Sequence, residues 1–186
     1  AGVAASLQGG TTIYNCTSEV AINVTGCTAK NSGYGGIGGN VADGSIIACT
    51  NKGNIYVEVN PNNSQYGYAR AAGIAAYSWK ATSQIEFCRN FGSVTLKLTG
   101  WGIACAAGIV NYSSKGTVTQ VNACYNTGKI ETGLIGNWGG CTFACAGVAT
   151  CHDSLEENQS EIKNCYYLEN TASTGVVKNN GVSVAD

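Results

Sequence analysis

The chain has no methionine, one proline and one histidine in 186 residues, and only 11% of its residues are charged. Soluble domains usually carry about 25% charged residues. With a net charge of −1, nothing suggests a nucleic acid or an anionic membrane as partner. No apolar run approaches the ~20 residues that a membrane helix needs, and no basic-then-apolar leader opens the chain. Without an initiator methionine, the sequence is expected to start after processing or trimming. Runs of Glu, Lys and Leu that build helices are missing too. Acids and bases, 11 and 10, are scattered, the guanidiniums are Arg70 and Arg89, and the paired carboxylates of a glycosidase are not apparent. No catalytic residue, cofactor site or metal site is therefore assigned, and the expectation is a protein that is not an enzyme.

What is present is repetition. Ile85-Glu86-Phe87-Cys88-Arg89-Asn90-Phe91-Gly92-Ser93-Val94 follows a rule: aliphatic, two residues, Cys, one residue, Asn, one residue, Gly, one residue, aliphatic. Ile46 to Ile55 and Val121 to Ile130 obey it as well, and weaker copies surround Cys16 and Cys165. A second marker precedes every copy: Ala1-Gly2-Val3, Gly35-Gly36-Ile37, Ala72-Gly73-Ile74, Ala107-Gly108-Ile109 and Ala146-Gly147-Val148. Its glycines step by 34, 37, 35 and 39 residues, and the cysteines by 33, 39, 36 and 41. Two markers with one drifting period describe a single domain over 1–186, with repeats at about 1–34, 35–71, 72–106, 107–145 and 146–186.

Within a repeat three short extended segments are expected, such as Ala71 to Tyr77, Gln84 to Arg89 and Ser93 to Leu98. In the last, Val94, Leu96 and Leu98 alternate with Thr95 and Lys97, the pattern of a half-buried strand. One unit buries too little surface to fold alone, whereas stacked units share a core. The expected fold is all-β: a single-stack parallel β-solenoid, a right-handed β-helix of five rungs with three strands each. At ~4.8 Å per rung it would be a column on the order of 24 Å tall. Gly in each Asn-x-Gly is expected to supply a positive-φ corner, and Asn51, Asn90 and Asn126 to stack as an amide ladder. Ser18 with Val20, and Tyr167 with Glu169, depart from the motif in the first and last repeats. Val182-Ser183-Val184 is expected to add an edge strand.

The run Ala107-Gly108-Ile109-Val110 … Val121-Asn122-Ala123-Cys124-Tyr125-Asn126-Thr127-Gly128-Lys129-Ile130 … Gly133 resembles a GLUG-type repeat, found in bacterial cell-surface and adhesin-like proteins. The resemblance covers all five units, best in the second to fourth. It implies an extracellular or surface-displayed solenoid, and as a scaffold motif it carries over no catalytic residue.

Ten cysteines are unusual for a reducing cytosol, which favours an extracellular or cell-surface location. Cys16, Cys49, Cys88, Cys124 and Cys165 occupy equivalent positions and read as a core ladder of small apolar groups, with inter-rung disulfides as the alternative. Cys27, Cys105, Cys141, Cys145 and Cys151 occupy non-equivalent positions and are the disulfide candidates, with Cys105–Cys145 first and Cys141–Cys151 second. Cys141, Cys145, Cys151 and His152 could instead hold zinc, though the spacing is not standard. His152, Asp153, Glu156 and Glu157 form the densest polar cluster, which reads as a solvated loop before it reads as a site. Asn15, Asn23, Asn62, Asn111 and Asn158 are acceptors for N-glycosylation.

Function follows indirectly. A structural or adhesive protein that stacks end to end on copies of itself into filaments is the leading reading, since the chain opens on a repeat marker with nothing to cap the first rung. Outward aromatics, among them Tyr56, Trp79, Trp101 and Trp138, make a glycan- or ligand-binding module of a larger adhesin the alternative. A β-helix enzyme acting on polysaccharide is third. Neither a nucleic acid partner nor a membrane span is expected.

Overall fold

The structure, a computed structural model, describes residues 1–29, 31–60, 67–79, 82–112, 119–136, 141–151, 161–178 and 182–184. These residues form strands and turns, with no helix among them. The first turn holds β1 (Ala4–Gln8), β2 (Thr12–Tyr14), β3 (Thr17–Ser18) and β4 (Ile22–Cys27). The second holds β5 (Asn31–Gly35), β6 (Gly38–Ala42), β7 (Ser45–Ile47), β8 (Thr50–Asn51) and β9 (Ile55–Val59). The third holds β10 (Tyr68–Ala72), β11 (Ala75–Ser78), β12 (Gln84–Glu86), β13 (Arg89–Asn90) and β14 (Val94–Leu98). Next come β15 (Ile103–Ala107), β16 (Val110–Tyr112), β17 (Gln120–Asn122), β18 (Tyr125–Asn126) and β19 (Ile130–Leu134). The last described segments are β20 (Thr142–Ala146), β21 (Ala149–Cys151), β22 (Glu161–Lys163), β23 (Tyr166–Tyr167), β24 (Val176–Lys178) and β25 (Val182–Val184).

Strands at equivalent positions pair in parallel, so the chain is a β-solenoid with five faces. Face 1 stacks β5, β10, β15 and β20, and face 2 stacks β1, β6, β11, β16, β21, β24 and β25. Face 3 runs from β2 to β22, face 4 from β3 to β23, and face 5 from β4 to β19. Each turn crosses five strands, not the expected three. The segment from Ala71 to Tyr77 breaks at Gly73-Ile74, and that from Gln84 to Arg89 breaks at Phe87-Cys88. Three turns cross all five faces, and partial turns at either end cross four each, in place of five like rungs. Val182–Val184 pairs antiparallel with β24 at the edge of face 2.

The glycines of Asn-x-Gly do stand at a corner, between faces 4 and 5, but without the expected positive φ; the left-handed residues lie at the corner between faces 3 and 4. Asn15, Ala48, Phe87, Ala123 and Asn164, each immediately before a ladder cysteine, have φ of 53°, 56°, 55°, 52° and 53°. Ala48, Phe87 and Ala123 hold this left-handed conformation at a cost of about 1–2 kcal/mol each, because a Cβ crowds the following carbonyl. The glycines are needed for room. A Cβ on Gly92 would lie 2.0 Å from the Gly53 carbonyl oxygen of the preceding turn, and one on Gly128 would lie 1.9 Å from that of Gly92. Val20 replaces this glycine in the first turn, where no described turn precedes it, and its side chain is exposed.

Two apolar compartments fill the interior. Ile46, Ile74, Ile85, Ile109 and Val121 pack with the buried cysteines inside faces 2 and 3. Val57, Leu96 and Leu98 from face 5 pack against Ala69, Ala71, Ala104 and Ala106 from face 1. Large side chains on one wall meet small ones on the other, which lets both walls interdigitate at native density. Between the compartments stand Asn51, Asn90 and Asn126, all fully buried. Asn51 Nδ2 donates to Asn90 Oδ1 at 2.8 Å, and Asn90 Nδ2 to Asn126 Oδ1 at 2.7 Å. Each amide also donates to the carbonyl two residues on, at Gly53, Gly92 and Gly128.

The ladder ends against Ser18, which is too short to continue it, so Ser18 Oγ and Asn51 Oδ1 are buried without a hydrogen-bond partner. Two substitutions test this register. Ser18→Asn supplies the missing donor to Asn51 Oδ1 and should raise stability by about 1 kcal/mol in chemical denaturation. Gly92→Ala forces a methyl against the Gly53 carbonyl; it should cost about 3 kcal/mol and lower the thermal midpoint by roughly 6–12 °C.

Candidate functional site

A recess lies on the outside, where faces 1 and 2 meet. Alternation along β10 sends Ala69 and Ala71 into the core and turns Tyr68 and Arg70 outward. In register with Arg70 stand Gly33 on one side and Cys105 on the other. Tyr77 and Trp79 come from β11 and the residue after it, Asn40 and Gly39 from β6, and Asn31 from β5. Together they line a cleft of about 550 Å³. The Arg70 guanidinium lies 4.9 Å from the centre of the Tyr68 ring and 4.1 Å from that of Tyr77. Such stacking is worth about 0.5–2 kcal/mol per ring, depending on desolvation. Arg70 is only 9% exposed, and the two ion pairs among the described residues, Lys52–Glu19 and Lys129–Glu131, leave it without a carboxylate. Asn40 Oδ1, in the lining, is buried and has no hydrogen-bond partner. Sequence reading missed Arg70. The available signal was a lone cation in the small-residue strand Tyr68-Ala69-Arg70-Ala71-Ala72.

The ladder cysteines stack beside the face 3 to face 4 corner. Cys49, Cys88 and Cys124 are fully buried, while Cys16 and Cys165 are half-buried at the two ends. Each S–H lies against the carbonyl two residues back: Tyr14 for Cys16, Ile47 for Cys49, Glu86 for Cys88, Asn122 for Cys124 and Lys163 for Cys165. Hydrogen bonding to Cys88 and burial raise the Cys49 thiol above its ordinary pKa. Cys124 is raised by its bonds to Cys165 and Cys88 and by burial. Cys88, with a sulfur on either side, is pulled down by bonds to Cys124 and Cys49.

The leading disulfide expectation is corrected. Cys105 aligns with Ala144, and Cys145 with Ala106, so the two are one residue out of register. Cys105 packs with Ala144 and Ala146, while Cys145 packs in the face 1 to face 5 compartment. A one-residue offset puts them on opposite sides of the sheet, which no bridge can span. Burial pushes the Cys145 thiol up to about 11, with the Glu131 charge adding to it. Cys141 Sγ faces the Gly100 carbonyl at 3.4 Å. Cys27 accepts a hydrogen bond from the Tyr34 hydroxyl at 3.1 Å, and burial pushes that phenol up to about 12. Cys16, Cys27, Cys49, Cys88, Cys124, Cys145 and Cys165 are free thiols. The side chain of Cys151 lies outside the described residues, as do His152, Asp153, Glu156 and Glu157.

Of the glycosylation acceptors, Asn15 and Asn23 are exposed, and Asn62 and Asn158 lie outside the described residues. Asn111 is corrected: it is 2% exposed and donates both amide hydrogens, to Ala71 O and Ala76 O at 3.0 Å each. Its Oδ1 accepts the Thr150 hydroxyl. A glycan there is incompatible with this fold. Among the described residues no group of three His, Cys, Asp or Glu is placed to hold a metal ion. A second hollow, of about 290 Å³, opens on the last turn between Tyr125, Asn126, Tyr166, Tyr167 and Leu168.

Thiol accessibility checks this arrangement. Under native conditions an alkylating reagent should label Cys16, Cys27, Cys141 and Cys165 and spare Cys49, Cys88, Cys105 and Cys124. Peptide mapping without reduction should yield no Cys105–Cys145 linked peptide.

Compared with protein-family models, curated proteins and solved structures, the chain matches none. The likeness to GLUG-type repeats therefore rests on the motif residues alone.

Proposed function

We propose that the protein is a non-enzymatic, extracellular structural or adhesive solenoid that displays the Arg70 cleft on its side. The observation that carries this reading is the chemistry of the cleft lining. Among the described residues it offers a cation fixed between two rings, an unpaired amide oxygen and an indole, but no His, Cys, Asp, Glu or Lys. Those groups suit recognition of a ligand, and the acids and bases most used in catalysis, His and the carboxylates, are not among the described lining residues. The interior supports the same reading, because its polar residues are used in stacking the turns. Seven of the described cysteines are free thiols, so the extracellular location leans on the GLUG resemblance more than on the cysteine count.

End-to-end self-assembly is a second reading, with its own supporting observation. The half-buried Ile13, Cys16, Ile22 and Val24 on the first turn, and the Tyr166–Tyr167–Leu168 hollow on the last, are apolar surfaces that a further turn would cover. Against simple stacking, β24 and β25 already occupy the edge of face 2 where another copy's β1 would pair.

Incubation of the purified chain on a glycan array, with product analysis of the bound glycans, tests the first reading. Retention of a subset without cleavage is expected; release of new reducing ends would make the protein an enzyme. Electron microscopy at neutral pH tests the second, for which discrete particles rather than filaments are expected if β24–β25 closes the stack.

A further inference from the structure

We propose that the Arg70 cleft binds the carboxylate of an acidic sugar, a hexuronate unit within a glycan chain. The proposal rests on the adhesive reading above and names its ligand class.

The site departs from the repeat that surrounds it. Along the outward column of face 1 the residues in register are Gly33, Arg70, Cys105 and Ala144, so one turn alone places a long cation there. Gly33 and Gly39 keep the floor low. A Cβ on Gly39 would sit 2.5 Å from the Ala5 carbonyl oxygen, and one on Gly33 would sit 3.2 Å from the Ala76 Cβ. Arg70 is held by Tyr68 and Tyr77 over its faces, and stacking leaves the in-plane N–H donors of a guanidinium for an acceptor. A charge 9% exposed, with no carboxylate paired to it among the described residues, is costly to keep unless a ligand supplies the counter-charge. One guanidinium, with no lysine among the described lining residues, matches a single carboxylate, taken bidentately, better than a doubly charged phosphate.

Two further groups select a sugar acid over a bare anion. The buried, unpartnered Asn40 Oδ1 needs a donor, which a carboxylate lacks and a hydroxyl supplies. Trp79, 39% exposed at the rim, offers an aromatic face to the apolar C–H face of a pyranose. The volume of about 550 Å³ lies within the range of small-ligand sites, roughly 300–1,000 Å³. An acidic peptide would satisfy Arg70 but leave the Asn40 acceptor and the Trp79 platform without matched partners.

Isothermal titration of the whole chain with a uronate trisaccharide tests this, alongside the same trisaccharide with its carboxyls reduced to alcohols and an oligoglutamate. Binding of the uronate, at least about tenfold weaker binding of the reduced sugar and of oligoglutamate, and weakening as salt rises are expected. Arg70→Lys, which keeps the charge and loses the fork, and Trp79→Ala, at the rim, should each weaken uronate binding about tenfold with the thermal midpoint little changed. Arg70→Met should abolish it; if that variant does not fold, the other two decide. Equal binding of the reduced sugar would overturn the acidic assignment, and equal binding of oligoglutamate would overturn the sugar. A chain that retains other array glycans but no uronate overturns this inference alone, whereas one that retains no glycan overturns the adhesive reading with it.

Discussion

A buried carboxamide sits where a glycine leaves room for it, and the rest of the molecule depends on that fit. A Cβ added to Gly36 would lie 2.4 Å from Asn51 Cγ, one on Gly73 2.1 Å from Asn90 Cγ, and one on Gly108 2.5 Å from Asn126 Cγ. The two sequence markers are therefore the two halves of one contact across the interior. The asparagine of face 4 reaches the corner between faces 1 and 2 and divides the core into its two compartments. A buried amide is expensive unless every donor and acceptor is used. Hydrogen bonds to the next asparagine and to the glycine carbonyl two residues on meet that demand, except at Asn51 Oδ1 where the row ends, and only when successive turns are in register. The polar row thus fixes the stacking that the apolar residues reward. Where the row stops, its partner changes: Ser18 stands against Gly2, and the Tyr167 ring against Gly147.

The thiol row follows from the same geometry. Once a residue in the left-handed conformation turns the chain, the next side chain points inward into a slot one strand spacing from its equivalents, and cysteine is small and apolar enough to fill it. Three consecutive sulfurs deep in the core behave as packing atoms, and the ends of the row alone are open to solvent.

Much of the architecture was legible in the residues because repetition amplifies weak signals. Alternation at Val94, Leu96 and Leu98 marked the face 5 strand, and all three are fully buried. Corners were harder. Ala48, Phe87 and Ala123 carry no turn signature, since their conformation is imposed by the turns on either side, so two strands were read as one. The glycine of Asn-x-Gly does mark a corner, between faces 4 and 5, but it is needed because the neighbouring backbone excludes any Cβ and not for a positive φ. Cys105 and Cys145 were paired by proximity to the Ala-Gly marker, yet they stand one residue apart relative to it, which in a strand is a change of side. The cleft was not legible at all. Tyr68, Arg70 and Tyr77 are joined by a corner, and Asn31 and Asn40 reach them only through the stacking of turns.

Seen this way, the repeat builds a stiff column with its polar and thiol groups used internally, and recognition is left to departures from the repeat on the outside. Everything turns on whether the asparagine row is as closed as its geometry requires. Hydrogen exchange of the side-chain carboxamides, followed by NMR on the intact chain, measures this directly. The amide protons of Asn51 and Asn90 should persist far longer than those of the exposed Asn31, with cross-peaks linking each carboxamide to the next. Exchange at the rate of Asn31 would contradict the account, because it would mean that water reaches the row and that something else holds the turns in register.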